Sequence, residues 1–183
     1  MGIIIYIIIL LLMVLVLIGS LLYQWSLISE APFIPTPQKA IEKIANYVEI
    51  NDNDVVFDLG CGDGRFLEIC YKKNSRASYI GIEKKLVPFL LAKLRVWRMK
   101  SPFNIKIVKG NIFKQDFSKA TFIYTYLFPE VMEKLEPKLE KELKPGAVVI
   151  SCDFKFKNKQ PEKIINLGRN KKQLANNLVF YRF

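Results

Sequence analysis

The segment Val55-Val56-Phe57-Asp58-Leu59-Gly60-Cys61-Gly62-Asp63-Gly64-Arg65 narrows what this 183-residue chain can fold into more than any other part of it. Val55 to Phe57 reads as a buried strand. Gly60, Gly62 and Gly64 let the backbone turn tightly and approach a ligand where a Cβ would collide. Helical pattern resumes at Phe66. A strand, a glycine turn and a helix start form the first unit of a doubly wound α/β sheet, whose ligands sit beyond the carboxyl ends of the strands. The alternative is a glycine-rich turn that holds no ligand.

The spacing separates two kinds of cofactor. Dinucleotide sites use G-x-G-x-x-G with the pyrophosphate on a helix N-terminus, but Arg65 stands where the third glycine belongs. Asp58 and Asp63 place negative charge where a diphosphate would be repelled and a ligand bearing an ammonium and a sulfonium favoured. S-adenosylmethionine is such a ligand. The string D-x-G-x-G-x-G after a strand closely resembles the glycine motif of the seven-strand, class I methyltransferases.

Residues further on add to this. Ser78 to Ile82 reads as a second strand ending at Glu83, about 20 residues past the glycines, where an acid accepts hydrogen bonds from both ribose hydroxyls. A third strand, Ile105 to Val108, leads to Gly110-Asn111-Ile112-Phe113, where such enzymes usually carry an acid and an apolar residue for adenine. Asn111 can accept from the adenine amine and donate to a ring nitrogen, or it is a plain turn residue. The fourth strand, Thr121 to Tyr126, runs into Leu127-Phe128-Pro129, facing the transferred methyl in that family. Asn/Asp-Pro-Pro-Tyr, which serves weakly nucleophilic nitrogens, is absent. Rings at Tyr124, Tyr126 and Phe128 can hold a lysine ammonium by cation–π attraction and lower its pKa in a dry pocket, or they are simply core.

The chain has no histidine, which excludes a histidine base and histidine metal ligands. Cys61, Cys70 and Cys152 are odd in number and lack C-x-x-C spacing, against a zinc site or a disulfide framework and in keeping with a reducing compartment. No metal is expected.

The N-terminus is the second informative segment. Met1 to Ser29 carries no charged side chain, and Gly2 to Leu22 has the length of roughly 20 residues needed to cross a bilayer core. Tyr23 and Trp25 follow as interfacial anchors. An uncleaved anchor is preferred to a secretory signal, since no Lys or Arg precedes the run and no A-x-A site follows. All 28 Lys and Arg lie after it, so positive-inside asymmetry puts the remainder in the cytoplasm. The excess of bases over 17 acids suits anionic lipid headgroups; nucleic acid is disfavoured because the lysines are dispersed. Glu30 to Pro37, with three prolines, reads as a short extended linker holding the site near the bilayer, with Phe33 either beside the cofactor or merely in a spacer. Thr36 and Pro37 then start a helix whose inner face is Ile41, Ile44, Ala45 and Val48. The division is therefore a transmembrane anchor over 1–25, a proline-containing linker over 26–37 and one catalytic domain over 38–183.

Val131 to Leu139 reads as a helix that breaks or restarts near Pro137. Ala147 to Ser151 reads as the fifth strand. Leu178 to Phe183 reads as an edge strand with Lys163 to Leu167 able to pair with it. Taken with Pro32-Phe33-Ile34-Pro35-Thr36-Pro37, Gly81-Ile82-Glu83, Leu127-Phe128-Pro129-Glu130-Val131-Met132, Leu135-Glu136-Pro137-Lys138-Leu139 and Val179-Phe180-Tyr181-Arg182, the glycine loop makes nearly the whole chain resemble the membrane-anchored lysine methyltransferases of the ATP synthase rotor subunit and adenine nucleotide carrier type. Cys61 replaces a common serine, Asn111 an acid, and Lys155-Phe156-Lys157-Asn158-Lys159 a more apolar stretch. The resemblance implies a Rossmann-like, doubly wound seven-strand methyltransferase sheet after one transmembrane helix. It implies a cofactor site of Asp58, Gly60, Cys61, Gly62, Gly64, Glu83, Asn111 and Ile112, with the loop amides on the methionine part. Tyr126, Phe128 and Pro129 would shape the acceptor channel, with no general base. The expected substrate is a lysine of a membrane or membrane-associated protein. The alternatives are a lipid or quinone acceptor, and a SAM-binding scaffold without turnover.

Overall fold

A computed structural model describes residues 2–28, 36, 38–99, 103–168 and 175–183. Within it the chain divides into two compact units, Met1–Ile34 and Pro35–Phe183. The first contains α1 (Gly2–Ile28), whose Gly2–Gln24 stretch has a mean hydropathy of 3.3 and no buried residue. Among the described residues α1 is the one helix long and apolar enough to cross a membrane. Most of the linker, including Phe33 and Pro37, lies outside the described residues.

The second unit is a seven-stranded sheet in the order β3-β2-β1-β4-β5-β7-β6. Its members are β1 (Val55–Leu59), β2 (Ser78–Glu83), β3 (Ile105–Lys109), β4 (Phe122–Thr125), β5 (Val148–Cys152), β6 (Lys163–Asn166) and β7 (Asn177–Arg182). β1 to β5 are parallel; β7 joins β5 antiparallel and carries β6 on its far side. Covered parallel strands need apolar side chains on both faces, which is why the central segments read as unbroken apolar runs.

Two cores flank the sheet. On one side α2 (Gln38–Asn46) buries Ile41, Ile44 and Ala45, with Val48 just past its end, against α3 (Arg65–Lys73), and α4 (Leu86–Arg98) packs next to α3 in the same core. On the other α5 (Pro129–Glu142) buries Met132, Leu135 and Leu139 with Phe117 and Tyr181.

Two local expectations are corrected. Helix α5 runs through Pro137 without a break. Both Pro137 and Glu133, whose carbonyl loses its amide partner there, are exposed, so water meets that carbonyl. The last strand is interior: Leu178, Val179 and Tyr181 are buried between neighbours on both edges, while the short and largely exposed β6 forms the edge.

Candidate active site

The chain runs β1, β2, β3 to one side and then returns to place β4 on the other side of β1. The order reverses between β1 and β4, and a crevice opens beyond the carboxyl ends of such a pair. Backbone bonds hold the surrounding loops. The Gly60 and Cys61 N–H groups both donate to the Ile82 carbonyl, at 2.9 and 3.0 Å, and Gly110 N–H donates to the Glu83 carbonyl at 3.0 Å. Glu83 is 8 % exposed; its Oε2 accepts from Gly62 N–H at 2.9 Å and its Oε1 from Lys85 N–H at 2.8 Å. Both oxygens keep a lone pair for a further donor. Gly60, Gly62 and Gly64 all have positive φ. At Gly60 a Cβ would lie 2.9 Å from Leu127 Cδ2, and at Gly64 3.2 Å from Ala92 Cβ, so the loop is pressed between the β4 exit and α4.

The loop amides do not face a ligand as expected. Those of Gly60, Cys61, Gly62 and Gly64 all bond within the protein, the last to the Cys61 carbonyl at 2.9 Å. An ammonium is a donor and needs acceptors, so amides would be the wrong groups for it. Cys61 is a core residue: its thiol packs with Leu67 and Ile107 around Gly81, and burial pushes the thiol pKa up.

The two acids of the loop part company. Asp63 is neutralised by Arg65 at 2.6 Å and Arg95 at 2.9 Å, and Arg95 also reaches Glu68 at 2.7 Å. Burial pulls the Asp63 pKa up, but the two guanidiniums outweigh burial and hold it below the usual range. This corrects the reading of Asp63 as a charge offered to the cofactor, and it accounts for Arg65. Asp58 is 3 % exposed and has no hydrogen-bonding or ion-pair partner among the described residues. Burial first, then the Glu83 and Asp63 carboxylates, push its pKa well above the usual range. Asp58 is a buried carboxyl in want of a cation.

At the β3 end Asn111 Oδ1 accepts from Phe113 N–H at 3.0 Å and caps a 3-10 turn, Ile112–Lys114. Its NH2 and a second lone pair are left for a ligand; Ile112 is half-buried beside it. At the β4 end Tyr124 is in the core, stacked on Phe66 at 4.0 Å, so its ring is not part of a channel. Tyr126 and Phe128 are half-buried and both lie against Phe154, with centroids 5.9 Å apart in each case; Pro129 is exposed in the first turn of α5.

Asp153 is the residue that reading the sequence missed. It follows β5 at the same sheet end, in left-handed conformation with φ 61°. Its carboxylate accepts from the amides of Ala175, Asn176 and Asn177 at 2.7 to 2.8 Å and from Tyr126 hydroxyl at 3.2 Å. A strained non-glycine residue held by four bonds at a ligand-binding edge is a feature of functional sites. An acid directly after the fifth strand was the available signal.

The profile of the ANTKMT methyltransferase domain matches residues 58–163, beginning at Asp58 and spanning the glycine loop, Glu83, Asn111, the β4 exit and Asp153. The chain belongs to that family. Among its relatives, a protein-lysine N-methyltransferase of Saccharolobus islandicus is 34 % identical over 142 residues, covering 78 % of this chain and 88 % of that protein. The human lysine N-methyltransferase of the ATP synthase C subunit is 32 % identical over 139 residues, 75 % of this chain and 58 % of the human one, so this chain spans little more than half of it. An RNA methyltransferase from Salinibacter ruber, solved in complex with S-adenosyl-L-homocysteine, superposes with a TM-score of 0.73 at 27 % identity, over 81 % of this chain and 93 % of that one.

The protein is thus a SAM-dependent methyltransferase with the Rossmann-like seven-strand fold. The residues present fit the cofactor. Asp58 is a buried acceptor without a cationic partner among the described residues, and Glu83 is an amide-braced carboxylate at the end of β2. Among the described residues no group of His, Cys, Asp and Glu is arranged to hold a metal.

Proposed function

We propose that this methyltransferase modifies a lysine side chain of a membrane or membrane-associated protein, held to the membrane by α1 with its catalytic unit in the cytoplasm. The observation that carries the acceptor is the β4 exit: half-buried rings of Tyr126 and Phe128 around Phe154, with no Asn/Asp-Pro-Pro-Tyr string. Such a surface suits an aliphatic amine. The relatives named as lysine N-methyltransferases support the same acceptor. The uncharged Gly2–Gln24 helix and the placement of all 28 bases after it support the anchor and its orientation. In this reading residues 1–25 are the anchor, 26–37 the linker and 38–183 the catalytic domain.

Bound S-adenosylmethionine supplies a methyl on a positively charged sulfur. Asp58 would accept from the methionine ammonium, Glu83 would take the ribose hydroxyls, and Asn111 with Ile112 the adenine. Tyr126, Phe128 and Pro129 align the acceptor nitrogen and exclude water. The lysine gives up its proton to solvent before attack, because the chain has no histidine and the Tyr126 hydroxyl is already donated to Asp153. Rate then comes from alignment in a dry site.

Incubating the full chain with S-adenosylmethionine labelled in its methyl, together with host membranes, tests this reading. Label in methyl-lysine of the protein fraction is expected. Label confined to the lipid extract would move the acceptor to a lipid or quinone, and no labelled product with any fraction would mean a binding protein.

A further inference from the structure

Helix α4 is apolar on the side that should be polar. Pro88 and Ala92 pack inward with Phe89, Val96 and Met99 against the core. Outward, Leu86, Leu90 and Leu94 remain 45, 53 and 40 % exposed and Trp97 76 %. At about 100° per residue these four fall on one face, with Lys93 and Arg98 on its two margins. The sequence around the helix carries one sign of charge. Between Glu83 and Asp116 the sequence has no acid and nine Lys or Arg, three of them on α4 and two on β3.

We propose that this face of α4 docks on the surface of an anionic lipid bilayer, its leucines and Trp97 entering the headgroup boundary while Lys93, Arg98 and Lys106 meet lipid phosphates. The proposal rests on the reading that the protein is membrane-anchored. A helix with aliphatic side chains on one face and bases at its edges is built for an interface between water and acyl chains. Bases supply the attraction to an anionic leaflet. Nucleic acid would reward stacked aromatics and phosphate contacts, but leaves exposed leucines in water. The docked helix also carries the site: Ala92 seats Gly64, Arg95 Nε donates to the Asp63 carbonyl at 2.8 Å, and α4 begins three residues after Glu83.

The test uses the full chain with Trp25→Phe, which leaves Trp97 as the sole tryptophan, inserted in phosphatidylglycerol-rich vesicles with brominated acyl chains. Trp97 emission should fall by about half relative to unbrominated vesicles, and Leu90→Glu with Leu94→Glu should restore it. Both leucines are exposed, so these changes leave the fold intact, as circular dichroism will register. Unquenched Trp97 in a chain that still floats with vesicles after alkaline washing overturns the docking and leaves the anchor standing. A chain that does not float overturns the anchor as well. Equal quenching in purely zwitterionic vesicles overturns the preference for anionic lipid. A change in Trp97 emission on adding an RNA oligonucleotide, with no quenching by the brominated chains, reassigns the face to nucleic acid and overturns the proposal.

Discussion

Replacing Asp58 by Asn should make the protein more stable and the enzyme worse. Asp58 is 3 % exposed, without a partner among the described residues, and burial followed by the neighbouring Glu83 and Asp63 carboxylates raises its pKa. The sign follows from the raised value. From about pH 4 upward the unfolded chain has released a proton that the folded one retains, so this group's contribution to stability falls as pH rises. An amide of the same shape has no such slope. Removing that pH-dependent penalty is worth about 1–3 kcal/mol, or about 2–12 °C in Tm for a domain of this size. The D58N chain in detergent should therefore melt above wild type at pH 7 and alongside it near pH 4. Losing a charge-assisted bond to the cofactor ammonium costs about 1.5–3 kcal/mol, so S-adenosylmethionine should bind about 10- to 150-fold more weakly. Scanning calorimetry at the two pH values and titration calorimetry with the cofactor measure both effects. A variant that melts below wild type at pH 7, or binds the cofactor as tightly, refutes the reasoning.

Gly64→Ala places a Cβ on a residue with φ +77° and 3.2 Å from Ala92 Cβ; left-handed strain and overpacking together should cost about 2–4 kcal/mol in urea unfolding, and a loss below about 0.5 would contradict the fit. Asp63 and Glu68 have pKa values held down by guanidinium or ammonium partners despite burial, so the stability they contribute is present above their ordinary values of 3.8 and 4.5 and is lost as pH falls through the lower folded ones. Asp63→Asn should flatten that acid limb of a urea-midpoint profile. Tyr126→Phe removes one donor from Asp153 and should raise KM for the acceptor severalfold with little change in cofactor affinity; Asp153→Asn should couple to it by about 0.5–1.5 kcal/mol in a double-mutant cycle of stability.

The strands of the sheet were legible because β1, β2, β4 and β5 are covered on both faces and so are mostly apolar, with β1, β2 and β5 ending at Gly60, Glu83 and Asp153. Glu83 was legible for the same reason, as the acid that ends such a run. Where β7 sits was not, because strand order depends on contacts far apart in the chain. Pro137 misled since its cost depends on which side of the helix it occupies, and here that side is wet. Asp63 looked like a charge for the cofactor because one of its two partners, Arg95, lies 32 residues away, on a helix whose facing no local pattern reveals. The amides of Gly60, Cys61 and Gly62 were misassigned for a similar reason: their acceptors, the Ile82 carbonyl and the Glu83 carboxylate, belong to the neighbouring strand.

Titrating S-adenosylmethionine into the full chain and into Glu83→Ala bears most directly on the claim that the crevice between β1 and β4 holds the cofactor. Glu83 has a lone pair free on each oxygen after its two backbone amides are met. Losing two hydroxyl bonds to a carboxylate should weaken binding by about 3–6 kcal/mol, beyond about a hundredfold in Kd, while circular dichroism stays unchanged. Unaltered affinity in a folded Glu83→Ala chain would contradict the account.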